Sequence, residues 1–258
     1  TPKPSSAASD VYKRQDLFDV HVPAKLAFIV VTIAWLVIGT NRYFDLALDC
    51  LSSIKTNYHG SQEQEFILFT DQVKKNESDW VKTVAIPHEP FPMVTLNRYR
   101  YFNSNASLLD RYDFIFYVDA DMKFVDVGDE ILGERVVTLH PAFVHETSSK
   151  CTFDRNPECL AYVPDSYDGP YFQNCFQGGK AIEFLKMSRR LARRIKRDLK
   201  NHVMPLWHDE SHMNWYMIQN PPTRVLHPGY AYPDWWKGFN FPRRIINVKK
   251  DAVTLRDL

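Results

Sequence analysis

Apolar residues fall along this chain in two kinds of run. Short unbroken runs suit strands covered on both faces of a sheet, and runs spaced three or four apart suit amphipathic helices. Residues 26–39 (LAFIVVTIAWLVIG) are the most apolar. They fall short of the ~20 residues a spanning helix needs, and their Ile and Val content with a Gly-Thr-Asn ending predicts a long buried first strand rather than a membrane anchor. Residues 43–58 carry Phe44, Leu46, Leu48, Leu51 and Ile54 at helical spacing. A second strand is expected at 66–69 (FILF), a third at 81–86 stopped by Pro87, and a helix with a basic face, Arg98 among it, at 94–102. Residues 114–118 (FIFYV) form another apolar run, and 136–140 a strand ended by Pro141. Residues 144–175 read as a long loop region punctuated by Pro and Gly, a length that in a compact domain is usually functional. Gly178-Gly179 leads into a strong helix at 182–200, and the stretch from Pro221 is rich in Pro, aromatic and basic residues. Strand–helix–strand alternation argues an α/β chain with a parallel or mixed sheet and crossover helices. There is no internal repeat.

Length and composition narrow this picture. The 258 residues suit one α/β domain, and 45% apolar content supplies a core. Aromatic content is 14%, and Tyr and Trp line sugar and nucleotide sites as well as cores. Lys plus Arg (32) balances Asp plus Glu (31), so no global charge pulls the chain toward nucleic acid or an anionic membrane. The very basic run in 182–200 reads as a solvated helix face. Cys50, Cys151, Cys159 and Cys175 are too few for a disulfide scaffold and fit no zinc spacing, so they read as free thiols. Residues 1–25, polar and Pro/Ser/Ala-rich at their start, are expected to be a disordered leader outside the fold.

Candidate chemistry gathers in two places. Asp119 and Asp121, flanking Ala120, follow the apolar run at once. Two acids at the end of a buried strand are costly to desolvate unless something positive meets them. On an extended chain they point to opposite sides, so one can hold a metal directly while the other holds a ribose or a metal-bound water. Ligands of open α/β sheets also gather at the carboxyl ends of strands. The second place is Trp207-His208-Asp209-Glu210-Ser211-His212-Met213-Asn214. A helix beginning here favours the acids at its N-terminal end. His208 and His212 then share a face at i, i+4, but the acids sit at the second and third positions, so the zinc-protease pattern His-Glu-x-x-His is not met.

FILFTDQ (66–72), FYVDADM (116–122), TLHPAF (138–143), FQGG (176–179) and WHDESHMN (207–214) occur in this order. Together they resemble glycosyltransferase family 6, the family of the histo-blood-group A and B transferases and of α-1,3-galactosyltransferase, over most of the chain. The resemblance implies a GT-A fold: a single α/β domain at 26–242 whose mixed, mainly parallel sheet is flanked by helices. The N-terminal part would bind UDP, the C-terminal part the acceptor, and a flexible tail at 243–258 would close over the donor. It implies transfer of galactose or N-acetylgalactosamine from UDP-galactose or UDP-N-acetylgalactosamine to the 3-hydroxyl of a β-galactoside, with retention of configuration. The acceptor would be an oligosaccharide ending in galactose, with or without fucose. Asp119 and Asp121 match the family's Asp-x-Asp and imply Mn2+ or another divalent metal. Ile38, Gly39, Thr40 and Tyr43 fall where the family cradles uridine, and Arg98 matches the arginine that holds the donor sugar with His208 and Asp209. Glu210 matches the carboxylate that serves as nucleophile or stabiliser of an oxocarbenium-like transition state. His140, Thr152, Trp207 and Glu210 match acceptor-side positions, and Lys250 and Arg256 the tail over the UDP. Two departures leave substrate identity open. Gln173-Asn174-Cys175 stands where members choose their donor and matches no pattern for either sugar, although the small Cys175 leaves room for an acetamido group. An acidic acceptor-side residue aligns with Pro233, and Asp234 is one place along.

A catalytically silent UDP-sugar or glycan-binding protein is the alternative, and the presence of Asp119, Asp121, Asp209 and Glu210 speaks against it. An Asp-x-Asp phosphotransferase would give WHDESH no role. No transmembrane segment is expected. A cytoplasmic enzyme of bacterial or viral type is the expectation, with a Golgi-lumenal fragment as the alternative.

Overall fold

The computed structural model describes residues 30–249. The expected leader, the first four residues of the 26–39 run, and both Lys250 and Arg256 lie outside the described residues.

The elements follow in chain order. β1 (Thr32–Ile38) leads to α1 (Tyr43–Asn57), β2 (Glu63–Thr70) and β3 (Val81–Ala85). Three short helices follow, α2 (Met93–Leu96), α3 (Arg98–Ser104) and α4 (Ala106–Leu109), then β4 (Phe114–Val118), β5 (Met122–Phe124) and β6 (Arg135–Leu139). β7 (Phe172–Lys180) runs into α5 (Ala181–Lys200), and α6 (His208–Gln219), β8 (Arg224–Leu226), β9 (Tyr232–Pro233) and β10 (Ile245–Asn247) complete the order.

Seven strands form the main sheet in the order β3-β2-β1-β4-β7-β6-β8. The pairs from β3 to β4 and the β6–β8 pair are parallel, while β7 runs antiparallel between β4 and β6. The apolar runs are unbroken because the sheet is covered twice. Ile33, Trp35 and Val37 of β1 pack on one side with Phe44, Ala47, Leu51 and Ile54 of α1. Ala34, Leu36 and Ile38 pack on the other with residues of α3, α5 and α6. β4 divides likewise, Phe116 and Val118 from Ile115 and Tyr117. The result is a three-layer α/β/α domain, mainly parallel, as the motif resemblance implies.

Several local expectations change. The 94–102 helix is broken between α2 and α3, with Asn97 between them. The loop expected to run to 175 ends four residues early, because β7 begins at Phe172. The 144–171 stretch carries its own small core, in which Phe153, Tyr167 and Tyr171 make edge-on ring contacts at 4.9–5.2 Å. The stretch after Pro221 supplies β9 and β10, which with β5 form a small second sheet. Its β10 occupies 245–247, at the start of the expected tail.

Gly178 shows why the glycine pair precedes α5. A Cβ there would meet the Ile115 carbonyl oxygen at 2.3 Å, so only glycine lets β7 lie this close to β4.

Candidate active site

The antiparallel course of β7 builds the site. Val118, the last residue of β4, pairs with Phe176. The first residues of β7, Gln173 to Cys175, therefore lie beside the carboxyl end of β4, and the Asp119 N–H donates to the Cys175 carbonyl at 2.8 Å. The chain then turns instead of continuing extended, with the Met122 N–H on the Asp119 carbonyl at 3.1 Å. The expectation that the two acids point to opposite sides of an extended strand gives way to this turn. Asp121 is 6% exposed, and its carbonyl accepts the Val248 N–H at 2.9 Å.

Two adjoining hollows share Phe91, Thr95, Arg98 and Asp119 in their walls. The first is lined further by Ile38, Thr40, Asn41, Tyr43, Ala120 and Asp121, the second by Gln173, Asn174, Cys175, Trp207, His208, Asp209 and Glu210. Most residues singled out on the donor side thus converge on one cleft. Gly39 is not in its wall but fixes the loop behind it, since a Cβ there would meet Ala47 Cβ at 2.4 Å. FILFTDQ also gains a role here. The Asp71 carboxylate accepts the Asn41 N–H at 3.0 Å, and the Gln72 side chain donates to the Asn41 carbonyl at 2.6 Å. Both bonds hold the loop between β1 and α1.

Arg98 is the hub between the hollows. It is 4% exposed, pairs with Asp209 at 2.8 Å and Asp119 at 3.2 Å, and donates to the Asn174 carbonyl at 3.1 Å. Its guanidinium lies 4.3 Å from the centre of the Tyr117 ring. The Tyr117 hydroxyl donates to Asp119 at 2.6 Å. Burial raises Asp209 to about 6 in spite of the opposing Arg98 charge.

WHDESHMN becomes the first two turns of α6. Asp209 and Glu210 stand in its first turn, where the helix dipole favours carboxylates. His208 has φ +53, a left-handed conformation that costs a non-glycine residue on the order of 1 kcal/mol or more and persists only where surrounding contacts impose it. Both oxygens of Glu210 are held: the Tyr171 hydroxyl donates to one at 2.8 Å, the Asn174 N–H to the other at 3.0 Å. Burial pushes Glu210 up to about 7, against the lowering effect of these two bonds. The Asn174 side chain donates to Asp209 at 2.5 Å and accepts from Gln177 and Tyr99, so one buried network backs both acids.

On the acceptor side, Trp207 is half exposed beside Glu210. Thr152 interacts with the Tyr171 hydroxyl. His140 packs edge-on against the Tyr171 ring at 5.6 Å, and burial lowers it to about 4, so it stays neutral near pH 7. Asp234 follows β9, where it accepts the Lys249 N–H at 3.1 Å. His208 and His212 part company: His208 lines the cleft, whereas His212 is fully buried beside Asp198.

Sequence reasoning missed Tyr171, which it placed in a loop, and His88, Phe91 and Thr95, which line the donor hollow. A signal for the latter three was present. They follow a parallel strand's carboxyl end in a stretch broken by Pro87, Pro90 and Pro92.

The Asp119–Asp121 pair offers only oxygen donors, the chemistry that suits manganese or magnesium. The thiols beside it register its field. Burial first, and then the charges of Asp121 and Asp119, hold Cys50 well above the usual thiol range. A pair of carboxylates whose negative field reaches the residues around it fits a divalent cation.

A mixed sheet with two acids in the turn after its central strand, facing a helix-borne pair of carboxylates across one cleft, is the arrangement of a GT-A glycosyltransferase. The model of glycosyltransferase family 6 matches residues 29–256, and the chain belongs to this family. It is 33% identical to histo-blood group ABO system transferase 2 of Rattus norvegicus over 149 residues, 56% of this chain and 45% of that protein. It is 25% identical to globoside alpha-1,3-N-acetylgalactosaminyltransferase 1 of Gallus gallus over 221 residues, 79% of this chain and 62% of the relative. It is likewise 25% identical to the O-antigen biosynthesis glycosyltransferase WbnI of Escherichia coli over 193 residues, 73% of this chain and 82% of the relative. The chain thus spans under half the length of the rat transferase. Among the described residues no helix is long and apolar enough to cross a membrane.

Proposed function

We propose that this chain is a UDP-sugar-dependent retaining transferase that moves galactose or N-acetylgalactosamine to the 3-hydroxyl of a β-galactoside acceptor. The observation that carries the reading is Glu210: a half-buried carboxylate gripped by Tyr171 and Asn174, in the same cleft as Asp119 and Asp121. A retaining displacement needs an anion on the face of the sugar opposite the leaving group, and Glu210 supplies one. Its two hydrogen bonds fix its direction before any substrate arrives. Arg98, anchored by Asp119 and Asp209, presents a fixed cation and donor to the sugar between the two hollows. Ile38, Thr40 and Tyr43 provide the wall for the nucleoside. Asp119 and Asp121 would hold a divalent metal, which when bound supplies Lewis-acid neutralisation of the departing diphosphate. Lys250 and Arg256, outside the described residues, would add positive charge over that diphosphate and exclude water. His140, Thr152 and Trp207 would orient the acceptor, His140 as a neutral hydrogen-bonding group.

The test is the product. UDP-galactose and UDP-N-acetylgalactosamine are each incubated with a β-galactoside acceptor, and the isolated product's linkage is read by NMR. An α-linked sugar on O3 is expected with at least one donor. A β-linked product, or donor binding with no product from either donor, overturns the reading.

A further inference from the structure

We propose that Cys159, Asp198 and His212 form a buried zinc site, separate from the Asp119–Asp121 pair. Cys159 belongs to the 144–171 stretch, Asp198 to the last turn of α5, and His212 to the second turn of α6. All three are at most 3% exposed, and their ligating atoms lie within 4.8 Å of one another. His212 Nε2 is 3.0 Å from Asp198 Oδ2, and Cys159 Sγ is 3.4 Å from the same oxygen. The fully buried His212 thus meets Asp198 through Nε2, while its Nδ1 has no hydrogen-bond partner.

A shared metal accounts for an imidazole, a thiol and a carboxylate brought together in the interior. Ligands bonded to tetrahedral zinc at about 2.0–2.3 Å stand about 3.3–3.5 Å from one another, each off its neighbour's bonding axis. The 3.4 Å spacing of Cys159 and Asp198 falls within that range, and the 3.0 Å spacing of His212 and Asp198 is shorter than it. A thiolate and a carboxylate bring two negative charges to a divalent ion. The surrounding charges balance as well, because Arg194 lies near Cys159 and Asp198 while the buried Asp154 lies near Cys159. Thiolate and imidazole select zinc, whereas the all-oxygen Asp119–Asp121 pair suits manganese or magnesium. The two sites therefore differ in metal preference. Bound zinc would tie the 144–171 stretch to both helices, two residues beyond Glu210.

The inference is independent of the transferase reading and is tested without an activity assay. Untagged protein is loaded with zinc under reducing conditions and desalted, and its metal content is measured. One zinc per chain is expected, kept by the Asp119→Asn/Asp121→Asn double variant and by Cys151→Ser, and lost by Cys159→Ser. Cobalt loading of the double variant should give a thiolate-to-cobalt charge-transfer band, absent after Cys159→Ser. Failure of wild type to retain zinc, or lack of the band in the double variant, overturns the site even where Cys159→Ser does not fold. Retention of both by a folded Cys159→Ser variant overturns it equally.

Discussion

At the scale of single residues the proposed reaction turns on the protonation of Glu210. It acts as a carboxylate, and its free-enzyme value is about 7. kcat/KM should therefore fall as pH drops through about 7, while His140, already neutral, adds nothing to that limb until about pH 4. The Tyr171 hydroxyl stabilises the charged form. Tyr171→Phe should thus move the acid limb to higher pH, by about one pH unit for a hydrogen bond to a charged group worth about 1.5 kcal/mol. An unmoved limb would mean that Tyr171 serves packing alone. Glu210→Gln keeps the shape and removes the charge, and should lower kcat on the order of 10²-fold or more with donor affinity little changed. The acids themselves were legible in the sequence because WHDESH and FYVDADM carry them in order. Tyr171 was not, since a lone tyrosine in a Pro- and Gly-punctuated stretch has no pattern that reveals what its hydroxyl touches.

Between elements, the contact that matters is α6 against β7. The Asn214 side chain donates to the Phe172 carbonyl and accepts the Phe172 N–H, both at 2.8 Å. It also donates to the Glu210 carbonyl at 3.1 Å. Asn214→Ala leaves buried backbone groups unmet and should cost about 2 kcal/mol, or roughly 4–8 °C of Tm by calorimetry. Arg98 ties three elements, and Arg98→Met strands Asp209 as an uncompensated buried charge. That change should cost about 3–5 kcal/mol, read from the urea midpoint, whereas replacing both Arg98 and Asp209 with apolar residues should recover part of the loss. β7 was the one central strand the sequence concealed. Strands buried on both faces announce themselves by apolar runs, and FQNCFQGGK does not. Its Asn174 and Gln177 are buried because they hydrogen-bond to each other and to Tyr99, a compensation that periodicity does not register. The short β8, β9 and β10 likewise owe their existence to partners far along the chain.

For the molecule as a whole, strand direction organises function. The parallel strands point their carboxyl ends at the cleft, and the single reversal at β7 brings Asn174 beside Asp119. Wall and floor thus come from segments distant in sequence. The parallel half was readable from β1 through β4, whose apolar runs alternate with helical spacing. The cleft's acids sit on both sides of Arg98, so loss of the divalent cation should abolish turnover without unfolding the chain. EDTA should stop product formation while the far-ultraviolet circular dichroism stays unchanged, and manganese should restore it. Asp121→Asn should lower activity at any manganese concentration.

The most direct measurement is acceptor-stimulated UDP release by wild type and Glu210→Gln, each with manganese and with EDTA. Wild type with manganese should release UDP faster when a β-galactoside is present, and the other three conditions should show little release. Equal release by Glu210→Gln would contradict Glu210 as the anion at the reacting carbon.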